Sequence, residues 1–303
     1  MKKFTLQLIF LLSILLSFCT EAQDQKADSV EFSFIVTADM RQYAGPEYQS
    51  SKYFRGAVEA MKKYGEGAFM ISPGDIDPPW NVRNTLDDVL GKDYKWYPVI
   101  GNHEQETPED VEWLREWGAK NAGRFVNTGP ENAEETFYSF DYKNAHFTVI
   151  NQYYDGESDI ATNGDISDPV YEWLENDLKR TDKQFIFVVG HEPIISIMDY
   201  NSGRMRHKGD NLDKYPEDAN RFVQLLRKYN VTAYLCGHTH NFSFAKINGV
   251  WQIDAGHSRG IGDTGSPSTF LKVFVGKSGA WFEVYRDDAD GGEYKLMDTI
   301  QID

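Results

Sequence analysis

The chain has 303 residues, a formal net charge of −16 and an aromatic content of 14%. A chain of this length can bury a substantial hydrophobic core, and its many aromatic residues exclude a disordered protein. Binding to long polyanions requires clustered positive charge, so the acidic composition argues against a long nucleic acid as a partner. A small phosphorylated substrate remains compatible with this charge if metal ions and local cations reverse the field at the site.

The first 22 residues have the features of a secretory signal peptide. Lys2 and Lys3 precede an apolar run that extends to Phe18, and a small-residue cleavage site ends at Ala22. The apolar run is shorter than the ~20 residues that a bilayer span requires, and no later stretch is as apolar. We therefore expect no transmembrane segment in the mature chain, residues 23–303.

These features predict export, to the periplasm or the medium. Lipid anchoring through Cys19 is the less favoured alternative, because Phe18 precedes it where a small residue is expected. Removal of the signal leaves Cys236 alone, so the mature chain forms no internal disulfide and depends on its core. We interpret Cys236 as a small core residue.

Strands and helices alternate through most of the mature chain. In the first half, the sequence predicts a strand at 32–37, a helix at 53–64, strands at 68–72 and 96–100, and a helix at 108–118 capped by Thr107. A hairpin of 136–142 and 145–152 follows, and then a helix from 168, a strand at 185–189, a helix from 216 and a strand at 231–236. Four strands follow, at 242–247, 250–254, 270–275 and 280–285. Alternation followed by a β-rich end predicts an α/β sandwich with two sheets, in one domain over residues 23–303.

Five segments place a side chain that can bind metal directly after an apolar strand. These side chains are Asp39, Asp75, Asn102 with the adjacent His103, His191, and His238 with His240. Strand ends in an α/β sheet converge on one edge, where ligands bind, and the neighbouring glycines allow tight turns there. We therefore expect these side chains to meet at one site.

The residue types suit a reaction on a phosphate ester. Two divalent ions ~3.5–4 Å apart can clamp the attacking and leaving oxygens and lower the pKa of bound water towards ~7. A carboxylate can bridge two ions, which makes Asp75 the candidate bridge. Imidazoles and an amide oxygen favour Zn, Mn or Fe over an all-oxygen Mg site. The predicted reaction is hydrolysis by in-line attack of a metal-bound hydroxide.

The ordered motifs resemble those of the calcineurin-like metallophosphoesterase superfamily: Asp-x-His, Gly-Asp, Gly-Asn-His-Asp/Glu, His and Gly-His-x-His. The match extends from Asp39 to His240, and its most specific parts are 101–104 and 237–240. The resemblance implies an αββα sandwich of two mixed β-sheets flanked by helices. It also implies that the protein is a phosphoric ester hydrolase with two metal half-sites.

Under this resemblance each ligand has an expected place. One metal is held by Asp39, Asp75 and His240, and the other by Asp75, Asn102, His191 and His238. The resemblance assigns His103 to the phosphoryl group, where it stabilises charge and protonates the leaving oxygen.

The first motif departs from the family pattern, because Arg41 stands where a metal-binding histidine is usual. A guanidinium cannot ligate a metal. We expect a retained but weakened first metal, with Arg41 facing the substrate phosphate as a second catalytic group; a single-metal enzyme is the alternative. The tyrosine that purple acid phosphatases carry three residues after Asp75 is also absent, since Pro78 stands there, which disfavours a purple iron enzyme.

The leading interpretation is an exported metallophosphatase acting on a small phosphate mono- or diester. A phosphodiesterase or nuclease of the same superfamily is the first alternative. A metal- or phosphate-binding protein with impaired catalysis is the second, because Arg41 replaces the histidine.

Several other polar residues have two interpretations. Asp77 either orients a metal-bound water or makes a local turn contact. The loop acids of 155–165 form either a calcium site or, as we favour, a solvated loop, because their spacing differs from an EF-hand.

Two further loops, 198–215 and 255–268, have no role fixed by the sequence. The basic residues at 204–208 form either a lid over an anionic substrate or a solvated loop. His257 or Arg259 either helps to bind substrate or is structural. His146 and His207 lie outside the motifs and are not assigned to the site.

Overall fold

The structure is a computed structural model that describes residues 30–302. The predicted signal peptide, residues 1–22, and Cys19 lie outside the described residues.

The strands are β1 Val30–Val36, β2 Met70–Ser72, β3 Trp96–Pro98, β4 Asn127–Thr128, β5 Tyr138–Tyr142, β6 Ala145–Val149, β7 Phe185–Val189, β8 Ala233–Cys236, β9 Phe242–Ile247, β10 Val250–Ala255, β11 Thr269–Gly276, β12 Ala280–Arg286 and β13 Lys295–Ile302. The helices are α1 Phe54–Tyr64, α2 Pro79–Leu90, α3 Asn102–Gln105, α4 Pro108–Asn121, α5 Asp168–Leu178 and α6 Pro216–Lys228.

The strands form two mixed sheets. The first has the order β13-β12-β11-β1-β2-β3, in which β1, β2 and β3 are parallel and the other pairs antiparallel. The second has the order β4-β5-β6-β7-β8-β10-β9, with a parallel centre from β6 to β10 and antiparallel pairs at both ends. The parallel strands are the ones that need crossover helices, which explains the alternation in the sequence.

Aromatic side chains fill the space between the sheets. Phe34 of β1 is fully buried, and its ring lies 5.2 Å from Phe69, 5.0 Å from Phe147 and 5.4 Å from Phe187, measured between centroids. Phe147 and Phe187 belong to the opposite sheet, so these contacts join the two layers. Burial of one such side chain stabilises the fold by roughly 1.5–3 kcal/mol.

Helices cover the outer face of each sheet. Helices α1, α2 and α4 pack on the first sheet with side chains such as Phe54 and Leu86. Helices α5 and α6 pack on the second with Leu174 and Phe222, where Cys236 is buried as predicted. The order of layers is helix, sheet, sheet, helix, and the αββα sandwich of two mixed sheets is confirmed.

Several elements differ from the sequence prediction. Helices α2 and α3 and the edge strands β4 and β13 were not predicted, and α4 continues past Gly118 to Asn121. A Cβ on Gly118 would lie 2.2 Å from the carbonyl oxygen of Glu135, so this glycine permits close packing and does not end the helix. Thr107 is at the N-cap position of α4, but its side chain makes no capping hydrogen bond to the described backbone.

Every strand predicted from the sequence is present, although several are shorter than predicted. Between residues 30 and 302, no helix combines the length and the apolar character that crossing a membrane requires.

Candidate metal centre

The predicted site residues meet at one edge of the sandwich. Asp39 follows β1, Asp75 follows β2, Asn102 follows β3, His191 follows β7, and His238 and His240 follow β8. The carboxylates and the three imidazoles are buried, with no more than 6% of any residue exposed. The structure therefore brings together all six side chains predicted as ligands.

Four atoms that can ligate a metal converge in one half of the centre. Asn102 Oδ1 lies 3.1 Å from both His191 Nε2 and His238 Nδ1, and these two nitrogens are 3.2 Å apart. Asp75 Oδ1 lies 3.3 Å from His191 Nε2. We call this group, Asp75, Asn102, His191 and His238, the second half-site.

Hydrogen bonds on the far side of each ring set its tautomer. His191 Nδ1 donates to the Pro73 carbonyl oxygen at 2.7 Å, and His238 Nε2 donates to the Asp210 carbonyl oxygen at 3.1 Å. The nitrogens that face Asn102 Oδ1 therefore carry lone pairs when the rings are neutral. Burial lowers the pKa of both histidines, which favours the neutral form.

The second half-site thus packs lone pairs against one another with no proton between them. Such an arrangement is repulsive unless a cation lies among the atoms, and imidazoles, a carboxylate and an amide oxygen are ligands for divalent metals such as Zn, Mn or Fe. The residues present therefore fit a bound divalent ion.

The other half of the centre, the first half-site, consists of Asp39, Asp75 and His240. One ligand atom from each lies within 4.8 Å of the others, and His240 Nε2 is 3.6 Å from Asp39 Oδ1. Asp39 Oδ1 is buried and accepts no hydrogen bond from the described residues. Burial, and then repulsion from Asp75, raise the pKa of Asp39.

A second arginine, Arg259, reaches this half-site. Its Nη2 lies 2.9 Å from His240 Nε2, and its Nε donates to the Asp39 carbonyl oxygen at 2.5 Å. On the other side of the imidazole, His240 Nδ1 lies 3.0 Å from Asp263 Oδ2. From the sequence, Arg259 was either a substrate-binding or a structural residue; the structure places it beside the predicted ligands.

Backbone strain is concentrated at the centre. Ten non-glycine residues among those described have a positive φ, and four of them are the predicted ligands Asp39, Asp75, His238 and His240. This conformation costs about 1–3 kcal/mol in a bulky residue and persists where surrounding structure enforces it, often at functional sites. A Cβ on Gly101 would lie 2.4 Å from Asp75 Oδ1, so this motif glycine allows the strand-end loops to approach.

Glu104 ties these loops together. Its Oε2 accepts from the N–H of Gly101 at 2.6 Å and of Asp75 at 3.0 Å, and its Oε1 accepts from Ile76 N–H at 2.7 Å. Burial and the neighbouring Asp75 raise the pKa of Glu104, while the N–H donors favour its ionised form. Glu104 was part of the quoted motif, but its positioning role depends on contacts that the sequence does not show.

His103 and Arg41 both line the mouth of the centre. His103 Nε2 lies 3.7 Å from Asp75 Oδ2, and its Nδ1 lies 3.2 Å from Glu106 Oε2. Arg41 Nε lies 3.1 Å from Asp77 Oδ1, and 30% of the arginine side chain is exposed. Asp77 is therefore the ion-pair partner of Arg41.

A polar cleft of about 400 Å³ opens above the centre. Its lining includes Arg41, His103, Arg206, His207 and Arg259. The segment at 204–208 folds onto this cleft, and the His207 ring lies 4.2 Å from the His238 ring. His207 was not assigned to the site from the sequence, but it lines this cleft; its place in a basic segment between two ligand motifs was the available signal.

The remaining open residues have structural partners. His257 is fully buried and its Nε2 bonds the Ser266 carbonyl oxygen at 3.0 Å. His146 lies outside the cleft, between Asp141 and Asp177. In the loop at 155–165, Asp159 pairs with Arg115 and Asp155 accepts from neighbouring backbone N–H groups. These bonds engage both carboxylates, which argues against a calcium site; Asp155 is exposed, as the solvated-loop interpretation predicts, whereas Asp159 is buried.

The family profile described as Calcineurin-like phosphoesterase matches residues 32–242. The chain therefore belongs to the calcineurin-like phosphoesterase family, a class of phosphoric ester hydrolases, and the predicted resemblance is confirmed.

Two curated relatives and one solved structure illustrate what the chain resembles. It is 24% identical to "Probable purple acid phosphatase 20" of Arabidopsis thaliana over 218 residues, which cover 67% of this chain and 45% of the relative. It is 33% identical to "Tartrate-resistant acid phosphatase type 5" of Oryctolagus cuniculus over 98 residues, covering 32% of this chain and 25% of the relative. The structure titled "GAP50 the anchor in the inner membrane complex of Plasmodium" aligns with a TM-score of 0.52 and 16% identity, covering 90% of this chain and 89% of that one, and supports the fold alone.

The chain spans less than half the length of these two curated relatives. One of them is named as a purple acid phosphatase, yet position 78 of this chain is proline, which cannot supply a tyrosine ligand. The expectation against a purple iron centre stays a prediction.

Proposed function

We propose that this protein hydrolyses a small phosphate mono- or diester at the cleft above the metal centre, with a divalent ion of the Zn, Mn or Fe type. The observation that carries the proposal is the second half-site, where imidazole lone pairs, an amide oxygen and a carboxylate meet within 3.1–3.3 Å. Family membership supports the reaction class.

Asp75, Asn102, His191 and His238 would hold the ion. When bound there, it supplies a Lewis acid that neutralises phosphate oxygens and makes hydroxide available near neutral pH for in-line attack. The reaction forms a bond from a hydroxide oxygen to phosphorus and breaks the bond to the leaving oxygen, which takes up a proton.

The chain's own cations account for recognition of the phosphate. Arg41, Arg206 and Arg259 line the cleft, so fixed positive charge faces the position of the phosphoryl oxygens in a protein that is otherwise strongly acidic. Asp77 holds the Arg41 guanidinium at the mouth of the centre. We assign Arg41 to the equatorial phosphate oxygens, which gain negative charge as the reaction proceeds.

His103 is assigned to the leaving group. It lies at the cleft beside Asp75, with 24% of its side chain exposed, and is therefore within reach of a substrate as well as of solvent. An imidazole suits proton transfer near neutral pH, a role that contributes ~10²–10⁴-fold to turnover.

The size and charge of the cleft favour a small ester. A volume of about 400 Å³ suits a phosphoryl group with a modest leaving group, and the net charge of −16 opposes a long nucleic acid.

The test is a panel of nitrophenyl monoester, nitrophenyl diester and cyclic phosphoester substrates, assayed before chelation, after chelation and after return of Mn²⁺ or Zn²⁺. Turnover that disappears with chelation and returns with the ion is expected, and the monoester-to-diester ratio assigns the substrate class. An absence of turnover across the panel with the ion bound would refute hydrolysis and favour the binding protein with impaired catalysis.

Export is part of the same proposal, since the predicted signal covers residues 1–22. N-terminal sequencing of the protein recovered outside the cytoplasm should begin at Gln23. An intact N-terminus on cytoplasmic protein would contradict it.

A further inference from the structure

The two halves of the metal centre differ in what faces the imidazole lone pairs. In the second half-site the lone pairs of His191 and His238 face other acceptor atoms. In the first half-site the Nε2 atom of His240 faces a guanidinium nitrogen of Arg259 at 2.9 Å. A guanidinium only donates hydrogen bonds, so His240 Nε2 must accept this one.

A neutral imidazole has one lone pair, and the contact with Arg259 assigns that of His240 to Nε2. The proton is then on Nδ1, which lies 3.0 Å from Asp263 Oδ2 and donates to it. Arg206 Nη1, which also lies against Nδ1, cannot donate to a protonated nitrogen and is bound instead by Asp263. A metal ion in the first half-site would need the same lone pair that Arg259 already engages.

Arg206 Nη1 contacts His240 Nδ1, but the Arg206 side chain differs from that of Arg259 in its freedom to move. The Arg206 side chain is 33% exposed and has a second partner in Asp263 at 3.5 Å. Only 7% of Arg259 is exposed, and its Nε is bonded to the Asp39 carbonyl oxygen. Arg206 can therefore turn towards solvent or substrate, whereas Arg259 is held against the ligands by the fold.

The charge of the first half-site suits a guanidinium. The guanidinium of Arg259 is buried beside the carboxylates of Asp39 and Asp75, whose negative charge attracts it. A buried charge requires such partners. In the family pattern a histidine at position 41 is a further ligand of the first metal. This chain has Arg41 there, and a guanidinium cannot bind a metal.

We propose that the guanidinium of Arg259 takes the place of the first metal ion, so that the centre combines one divalent ion, in the second half-site, with one built-in organic cation. This inference rests on the proposed function, because it assumes that the second half-site binds an ion. Asp39 Oδ1 has no hydrogen-bond donor among the described residues and would accept a cation, but His240 Nε2 is engaged by a donor, so the first half-site does not fit a metal while Arg259 occupies it. Arg259 then supplies fixed positive charge towards a substrate phosphate without any requirement for a second ion.

The test is the number of ions bound per chain, measured by equilibrium dialysis against Mn²⁺ followed by elemental analysis. Wild type should bind one ion. His240→Ala should still bind one, because its imidazole is not a ligand, and the matched variant His238→Ala should bind none. Two ions in wild type, or the loss of an ion from His240→Ala, would overturn the proposal. No ion in wild type would refute the proposed function as well.

The converse variant removes the guanidinium. Arg259→Met keeps a long side chain but frees His240 Nε2 beside Asp39 Oδ1, and it should raise the stoichiometry from one ion to two. Addition of Arg41→His, which restores the histidine of the family pattern, should tighten the second ion further. The control is Arg206→Met, which removes a cation from the opposite side of the same imidazole and should leave the stoichiometry at one. An unchanged stoichiometry in folded Arg259→Met, verified by circular dichroism, would show that Arg259 does not exclude an ion.

Discussion

The substitution Glu104→Gln tests how the strand-end loops are held together. Glu104 is fully buried, and its carboxylate accepts three hydrogen bonds, from the backbone N–H groups of Gly101, Asp75 and Ile76. Glutamine has a single acceptor oxygen, so at least one of these N–H groups would face an NH₂ group. An unsatisfied buried donor costs about 1–3 kcal/mol, and each bond that loses its charge weakens by about 1 kcal/mol.

The expected loss in the free energy of unfolding is therefore about 2–5 kcal/mol. Urea denaturation in the presence of a chelator measures it without a contribution from bound ions. The matched control is Glu106→Gln, two residues further along the chain and directly after α3, where the carboxylate is 64% exposed and pairs with His103 at 3.2 Å. Such a surface pair is worth about 0–1 kcal/mol. If the two variants shifted the transition equally, the role assigned to Glu104 would be wrong.

Three further predictions concern the site and the fold. His103→Ala should lower turnover by about 10²–10⁴-fold with unchanged ion content, because His103 acts on the leaving group; equal losses of ion and turnover would place it among the ligands. Asp75→Asn should lose both ion and activity in the same elemental analysis and assay, since the carboxylate contributes charge to the second half-site; retained ion would contradict that role. Burial lowers the pKa of His146, but hydrogen bonds with Asp177 and then Asp141 outweigh burial and raise that pKa. The contribution of these bonds to stability is therefore fully present below about pH 6.5, the unfolded-state pKa, and is lost as the pH rises through the folded-state pKa. The destabilisation of His146→Gln, measured by denaturation at about pH 6 and about pH 9, should therefore be larger at the lower pH, and an equal value at both would exclude this linkage.

The ligands were predictable because a short local sequence pattern marks each one: an apolar strand followed by a polar residue, with a glycine nearby. The architecture of such sheets brings the ends of β1, β2, β3, β7 and β8 to one edge, so the convergence of Asp39, Asp75 and His191 required no knowledge of distant contacts. The αββα layering followed from the resemblance and from the alternation of elements.

Other features depend on contacts between distant residues and were not predictable. Arg259 meets His240 only because the loop after β10 folds back over the loop after β8. Gly118 was taken as a helix end, although its reason is the close approach of Glu135. Helix α2 is a different case, because its signal is local: two consecutive prolines are typical of a loop, but Pro79 begins the helix, where its missing N–H costs nothing.

If the proposed function is correct, phosphoester hydrolysis requires an ion in the second half-site. The most direct measurement is the ion content and the nitrophenyl phosphoester turnover of purified His238→Ala beside wild type, with both proteins dialysed against the same Mn²⁺ buffer. We expect the variant to lose the ion and its turnover together while retaining its fold. A folded variant that kept full ion content and full turnover would contradict it.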